Sequence, residues 1–246
     1  MTLPISSVLI TGGAQRIGAE IARELAQKKI KHLILHYNTS KTQAQKLQTE
    51  LKRLGAKKVS LVQANLESFK ETEKLARQTL ALAPDLNGIV FNASRWDKTP
   101  FGNVSETAWD THFDINLKST FFLAQSLGLA MKKRGEGSIV MIADWSALKP
   151  YTAYIPYCLS KTGVLYLTHA LAKALAPQIR VNAVLPGAIL PAPDASPQDI
   201  KKTKQANLLK RMGSPKDIAK AVRFFLEDAD FSTGSWLTID GGRLIA

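Results

Sequence analysis

Residues 6–18 read SSVLITGGAQRIG. The first six form a β-rich run. The next residues hold a glycine turn, and Ile17, Ile21 and Leu25 then recur on one helical face. A strand that passes through a glycine turn into a helix N-terminus makes a cradle for an anion. The helix leaves N–H groups without partners, its dipole favours negative charge, and glycine lets a ligand approach the backbone. A tight strand-to-helix turn without a ligand is the alternative, so the rest of the chain has to decide.

The same alternation continues to the end. Runs rich in β-branched and aromatic residues recur at 32–37, 59–63, 87–92, 138–143, 179–185 and 235–240, with helical patterns between them. Ser40 with Gln43 predicts a capping box, Leu47, Leu51 and Leu54 form the stripe of that helix, and Gly55 ends it. Ser105 caps a long helix carrying Trp109, Phe113, Leu117 and Phe121, which closes at Lys132, Lys133, Arg134 and Gly135. Another helix runs from about Tyr154 to Ala176, and Ser214-Pro215 opens the last one. Pro186, Pro191, Pro193 and Pro197 make 186–197 a loop, and the stretch 186–210 with Lys201, Lys202 and Lys204 is expected to cover a substrate. Uninterrupted alternation predicts an α/β fold, a mostly parallel sheet with helices on both faces. No linker breaks it, so one domain over 1–246 is expected.

Composition narrows the function classes. Among 246 residues, 45% are apolar and no run is long enough to span a bilayer. The N-terminus has neither a basic leader nor a small-residue cleavage site, which predicts a cytoplasmic protein. One cysteine, Cys158, excludes an internal disulfide framework and reads as a small packed residue. The four histidines, 32, 36, 112 and 169, show no metal-ligand spacing. The net charge of +13 raises nucleic-acid binding. Its lysines and arginines sit instead in small groups at predicted helix ends and loops, without interleaved aromatics. That pattern fits solvated faces and an anionic cofactor or substrate better.

Two features specify the cofactor. Arg16 stands in the turn where a glycine is common, and a long cation there can reach an additional phosphate. The second strand ends His36-Tyr37-Asn38-Thr39-Ser40 without the acid that would hold a ribose 2′-hydroxyl. Arg16 could pair with a 2′-phosphate and Ser40 could donate to it, so NADPH is expected over NADH.

Tyr157 and Lys161 are four residues apart on one helix face. An ammonium beside a phenol favours the phenolate and predicts a lowered Tyr157 pKa, suited to a general acid. Tyr151 and Tyr154 lack a lysine at that spacing.

Taken together, TGGAQRIG, FNAS (91–94), Asn116 in DINLKSTFF, YCLSK, VNAVLPG (181–187) and LTIDGG (237–242) resemble the short-chain dehydrogenase/reductase family over essentially the whole chain. The resemblance implies a doubly wound Rossmann-type three-layer fold with a seven-stranded parallel sheet, and commonly a homotetramer. It implies that Tyr157 supplies the proton, that Lys161 holds the nicotinamide ribose, and that Asn116 orders a relay water. The cofactor is then expected against Gly12, Gly13, Arg16, Ile17 and Gly18, and against Tyr37, Asn38 and Ser40. Asn65, in place of the family's usual Asp near the adenine, would follow, together with Leu66. Asn92, Ala93 and Ser94 would line it, with Pro186 and Gly187.

Most of that family carries a serine thirteen residues before the tyrosine; here the position holds Asp144. A hydroxyl can donate to a carbonyl oxygen, whereas a carboxylate only accepts. Asp144 therefore suits a substrate that presents N–H groups or becomes protonated at nitrogen, such as a ring C=N bond. Arg16, LHYNTS, Ser94 and Asp144 together look like the pteridine reductases and related dihydromonapterin and dihydrofolate reductases. By that likeness Ser94 touches both pterin and cofactor, and Trp96 stacks on the pterin. Arg16 also reaches the substrate.

Plainer alternatives stay open. Asp144 could cap the next turn while Ser146 is the hydroxyl donor, and Trp96 could be an ordinary loop aromatic. A carbonyl reductase such as a 3-oxoacyl-acyl-carrier-protein reductase is the second reading. A non-catalytic cofactor-binding regulator is the third, and Asn116, Tyr157 and Lys161 together argue against it.

Overall fold

The computed structural model describes residues 5–191 and 195–246. Seven parallel strands form one sheet in the order β3-β2-β1-β4-β5-β6-β7. They are β1 Ser7–Ile10, β2 His32–Tyr37, β3 Lys58–Gln63, β4 Gly88–Phe91, β5 Gly137–Ile142, β6 Ile179–Pro186 and β7 Trp236–Ile239. Both faces of the central strands are covered, so side chains alternate between two apolar layers rather than between core and solvent. Leu9, Ile89, Phe91, Ile139 and Met141 enter one layer. Val8, Ile10, Val90, Val140 and Ile142 enter the other.

Helices α1 (Arg16–Gln27), α2 (Lys41–Leu54) and α9 (Pro215–Arg223) cover the second layer. Helices α3 (Phe69–Leu82), α4 (Glu106–Phe113), α5 (Ser119–Leu123), α6 (Leu129–Arg134) and α7 (Ile155–Leu175) border the first. The long helix expected from Ser105 is present as α4 to α6. Ser105 accepts from the Ala108 N–H, and Gly135 ends it in a left-handed conformation. Wide π turns at Asp114–Lys118 and Ala124–Gly128 interrupt it; such turns recur at functional sites.

Two local expectations are corrected. Ser40 does precede α2, but its side chain makes no capping bond, so the predicted capping box is not formed. Capping boxes occur instead at Ser214, before α9, and at Ser196, each with an aspartate three residues on. Ser196 starts α8, Pro197–Ala206, so 186–210 is not loop throughout. The prolines keep 187–191 irregular, and Pro193 lies outside the described residues. Pro197 sits at the first position of α8, where its missing N–H costs nothing.

The strand order reverses between β1 and β4, which opens a crevice beyond their carboxyl ends. No helix among the described residues is long and apolar enough to cross a membrane, and none of their acidic, histidine and cysteine side chains group as metal ligands.

Candidate active site

A cavity of about 540 Å³ lies in that crevice. Gly12, Arg16 and Gly18 line one end, while Asn92, Ala93 and Ser94 follow on from β4. Asp144, Tyr157 and Lys161 form the middle. Trp96, Tyr154, Arg243 and the inner side of α8 close the far end.

The glycine turn is tied down from both neighbouring strands. The Gly12 N–H donates to His36 Nδ1 at 3.1 Å, and His36 Nε2 donates to the Ala64 carbonyl at 3.0 Å. That pairing fixes a neutral imidazole, and burial pushes the His36 pKa down to about 4. Asn92 Nδ2 donates to the carbonyls of Thr11 and Gly12, each at 3.0 Å. Thr11 Oγ1 accepts from the N–H groups of Asn92 and Ala93. With the turn so held, the first N–H groups of α1 point out of the helix start unsatisfied, and Gln15 supplies no side-chain cap.

The fit for a dinucleotide can be tested at Gly18. A Cβ there would lie 2.3 Å from the Gly12 carbonyl oxygen and 2.6 Å from Asn92 Nδ2. Only glycine permits the turn to close on the helix in this way. Arg16 has φ of +51°, a left-handed conformation that favours glycine, yet it is an exposed arginine. A non-glycine residue held at such a φ carries local strain, and its side chain lines the cavity.

Other predicted cofactor residues stand beside the cavity rather than in its wall. Tyr37 is buried against Ala14 and Ala44. Asn38 is exposed at the end of β2, and Ser40 is half-buried. Asn65 Oδ1 accepts from the Glu67 N–H at 3.1 Å in a local turn, and Leu66 is in the core.

Asp144 gives each of its two oxygens a different partner. Oδ1 accepts from the Ser146 N–H at 2.8 Å and caps the short turn Trp145–Ala147. Oδ2 accepts from the Tyr157 hydroxyl at 2.9 Å. Ser146 is buried and does not line the cavity, so it does not present a hydroxyl there. Burial raises the Asp144 pKa, opposed by the bonds from Ser146, the charge of Lys161 and the Tyr157 hydroxyl.

The expected lowering of the Tyr157 pKa is overturned. Burial raises it well above the ordinary phenol range, and the charge and hydrogen bond of Asp144 add to this. The physical reason lies in the geometry of Lys161. Its Nζ sits 5.8 Å from the centre of the Tyr157 ring and donates to the Ile142 carbonyl at 2.8 Å. The nearest charge to the phenol oxygen is a carboxylate, which disfavours a second anion beside it. Lys161 is itself buried, and that pushes its pKa down to about 8.

Asn116 lies behind the cavity, 1% exposed, in the first π turn. Its Oδ1 accepts from the Arg95 N–H at 2.7 Å, and its Nδ2 donates to Ser160 Oγ at 2.9 Å. Ser160 in turn donates to the Tyr157 carbonyl at 2.7 Å. Asn116 thus ties the Ser94–Trp96 loop to the helix that carries Tyr157 and Lys161.

Trp96 is stacked at 5.1 Å on Tyr154, nearly parallel at 9°. His112 steadies the same loop from below. Its Nδ1 donates to the Ala108 carbonyl at 2.6 Å, which leaves Nε2 to accept from the Asp97 N–H at 3.2 Å. The His112 ring also meets Tyr157 edge-on, with centres 6.5 Å apart. Neither Tyr154, His112 nor Arg243 carries a sequence pattern that marks it, because each enters through a contact distant along the chain. Cys158 is buried, its Sγ accepting from the Tyr151 N–H, as a packed residue should be.

A family model described as enoyl-(acyl carrier protein) reductase matches residues 12–243. This chain is a short-chain dehydrogenase/reductase. It is 30% identical over 246 residues to the human dehydrogenase/reductase SDR family member 4, covering 95% of this chain and 86% of that protein. It is also 30% identical to the 3-oxoacyl-[acyl-carrier-protein] reductase FabG of Staphylococcus epidermidis, covering 96% of this chain and 98% of that one. Among solved structures it resembles FolM alternative dihydrofolate reductase 1 from Brucella canis complexed with NADP. That likeness has a TM-score of 0.88 and 32% identity over 98% of this chain and 95% of the other. The family is one of oxidoreductases, and the seven-stranded Rossmann-type sheet expected for it is the sheet observed.

Proposed function

We propose that this short-chain dehydrogenase/reductase is an NADPH-dependent reductase of a dihydropterin or dihydrofolate. The reading rests on one observation above the others, the Tyr157 hydroxyl donating to Asp144 at 2.9 Å in the wall of the cavity. The likeness to FolM structures complexed with NADP supports it.

Gly12, Arg16 and Gly18 would hold the cofactor phosphates, with Lys161 near the nicotinamide ribose. When bound, NADPH supplies the hydride. The chain's own part is the proton and the orientation of the ring. Asp144 would accept hydrogen bonds from ring N–H and amino groups, and burial raises its pKa above the ordinary carboxylate value. Reduction of a C=N bond adds hydride to carbon and a proton to nitrogen. That proton would come from the Tyr157 hydroxyl, while ionised Asp144 orients the ring, and Tyr157 would take a proton back from solvent before the next turnover. Lys161 keeps a positive charge beside the pair below pH about 8. Trp96 and Tyr154 offer flat faces for the heterocycle.

The likeness to FabG favours a second reading, reduction of a thioester-linked ketone. Against it stands Asp144, whose carboxylate would repel the oxyanion formed from a carbonyl. Following NADPH oxidation with dihydrobiopterin, dihydromonapterin, dihydrofolate and an acetoacetyl thioester in parallel separates the two. Turnover of the thioester alone would reject the pterin reading.

A further inference from the structure

The last turn of the chain is built to place one arginine in the cavity. Asp240 accepts from the N–H groups of Gly242 at 2.9 Å and Leu244 at 2.7 Å. Gly242 has φ of +81°, and a Cβ there would come within 2.8 Å of the Leu208 side chain. This turn leads the chain back from β7 so that Arg243 lines the cavity wall. Its guanidinium lies over the Trp145 ring, 5.7 Å from the centre. Trp145 follows Asp144 directly in the chain, and both line the same cavity as Arg243.

The other half-buried arginines among the described residues have acidic or carbonyl partners, although Arg223 Nε makes an ion pair without a hydrogen bond. Arg23 pairs with Glu20 and Glu50, and Arg223 with Glu24, Glu227 and Asp228. Arg180 donates to the carbonyls of Phe225, Leu226 and Ala229. Arg243 Nη1 is buried with no hydrogen-bond partner. A buried guanidinium donor without an acceptor is unfavourable, and a carboxylate or phosphate satisfies it best, often through two parallel bonds.

We infer that Arg243 is an anion anchor of the substrate site, so that the preferred substrate joins an N–H-bearing heterocycle to an anionic substituent. This rests on the pterin reading above. A dihydrofolate, whose glutamate carries carboxylates, meets both Asp144 and Arg243, whereas dihydrobiopterin meets only Asp144.

The test compares the wild type with Arg243→Gln and Arg243→Lys on dihydrofolate, dihydroneopterin monophosphate and dihydrobiopterin. In Arg243→Gln, KM for dihydrofolate should rise at least about ten-fold more than KM for dihydrobiopterin. Arg243→Lys should recover part of that difference, because it keeps the charge and loses the fork. A matching rise for the phosphate ester alone would assign the anchor to phosphate instead of carboxylate. Equal changes for all three substrates would overturn the inference and leave Arg243 a packing partner of Trp145. If the wild type reduces none of them, the pterin reading fails. Binding of p-aminobenzoyl-glutamate, followed by tryptophan fluorescence, then judges Arg243 separately: binding lost in Arg243→Gln upholds the anchor, and binding unaltered by the substitution or absent from the wild type removes it.

Discussion

The two ends of the cavity are constructed differently. At the glycine turn, most contacts come from residues close to the ends of adjacent strands: Gly12 and Thr11 after β1, His36 on β2, Asn92 after β4. At the other end, Trp96, Tyr154, Arg243 and α8 come from four separated stretches, held by stacking and by buried polar partners such as His112 and Asn116. The first end is backbone geometry, which few sequences can satisfy. The second is side-chain geometry, which substitution can retune. A fold that serves many reactions needs that division, with a fixed cradle for the shared cofactor and a variable wall for the substrate.

The difference can be broken most strongly in the middle, where both ends depend on the proton pair. Tyr157→Phe should lower kcat by ~10³-fold, within the range for loss of a general acid, with NADPH still quenching tryptophan fluorescence on binding. Asp144→Ser should lower kcat/KM for the dihydropterin by ~10²-fold and raise activity on an acetoacetyl thioester; unaltered pterin turnover would leave Asp144 only its capping role. At the cradle end, Arg16→Gly should raise KM for NADPH by about ten-fold and narrow the preference over NADH. The same variant should melt no lower than the wild type, because glycine relieves the positive φ at a cost of about 1 kcal/mol or less in chain entropy. At the substrate end, His112→Phe removes the acceptor for the Asp97 N–H. It should raise KM for substrate by about five-fold, with a smaller effect on KM for NADPH, in keeping with the loss of one hydrogen bond of about 1 kcal/mol.

The same division governs how much was legible in the sequence. The strands themselves and a sheet covered on both faces followed from the alternation, since the central strands are buried on two faces and read as apolar runs, whereas the strand order came from the structure. Gly12, Gly18, Tyr157 and Lys161, which the structure gathers around one cavity, were legible from their spacing alone. Asp144 was legible as an exception to a family pattern, but its dual bonding was not, because it depends on where a strand end meets α7. The direction of the Tyr157 pKa was misjudged for the same reason: four-residue spacing places Lys161 on the right face but does not place its charge at the phenol oxygen. Ser40 failed as a cap because a suitable residue pair does not ensure the cap bond; the boxes that did form pair serine with aspartate. Arg243 and His112 act across long sequence separations, and no local pattern announces them.

The buried ammonium of Lys161 ties the enzyme's working range to its folding equilibrium with opposite signs. Its pKa is about 8 in the folded protein against 10.5 for an ordinary lysine. Between those values the unfolded chain binds the extra proton, so this residue makes the fold more stable as pH rises through the window. Activity should move the other way, falling above pH about 8 as the cation beside the Tyr157–Asp144 pair is lost. Asp144→Asn removes a charge that supports that cation, so the alkaline limb of kcat/KM should move to lower pH. Lys161→Met should accordingly be inactive and yet melt higher at pH 7, by up to about 3 kcal/mol of stability. For this one residue, the pH that favours folding is therefore not the pH that favours turnover.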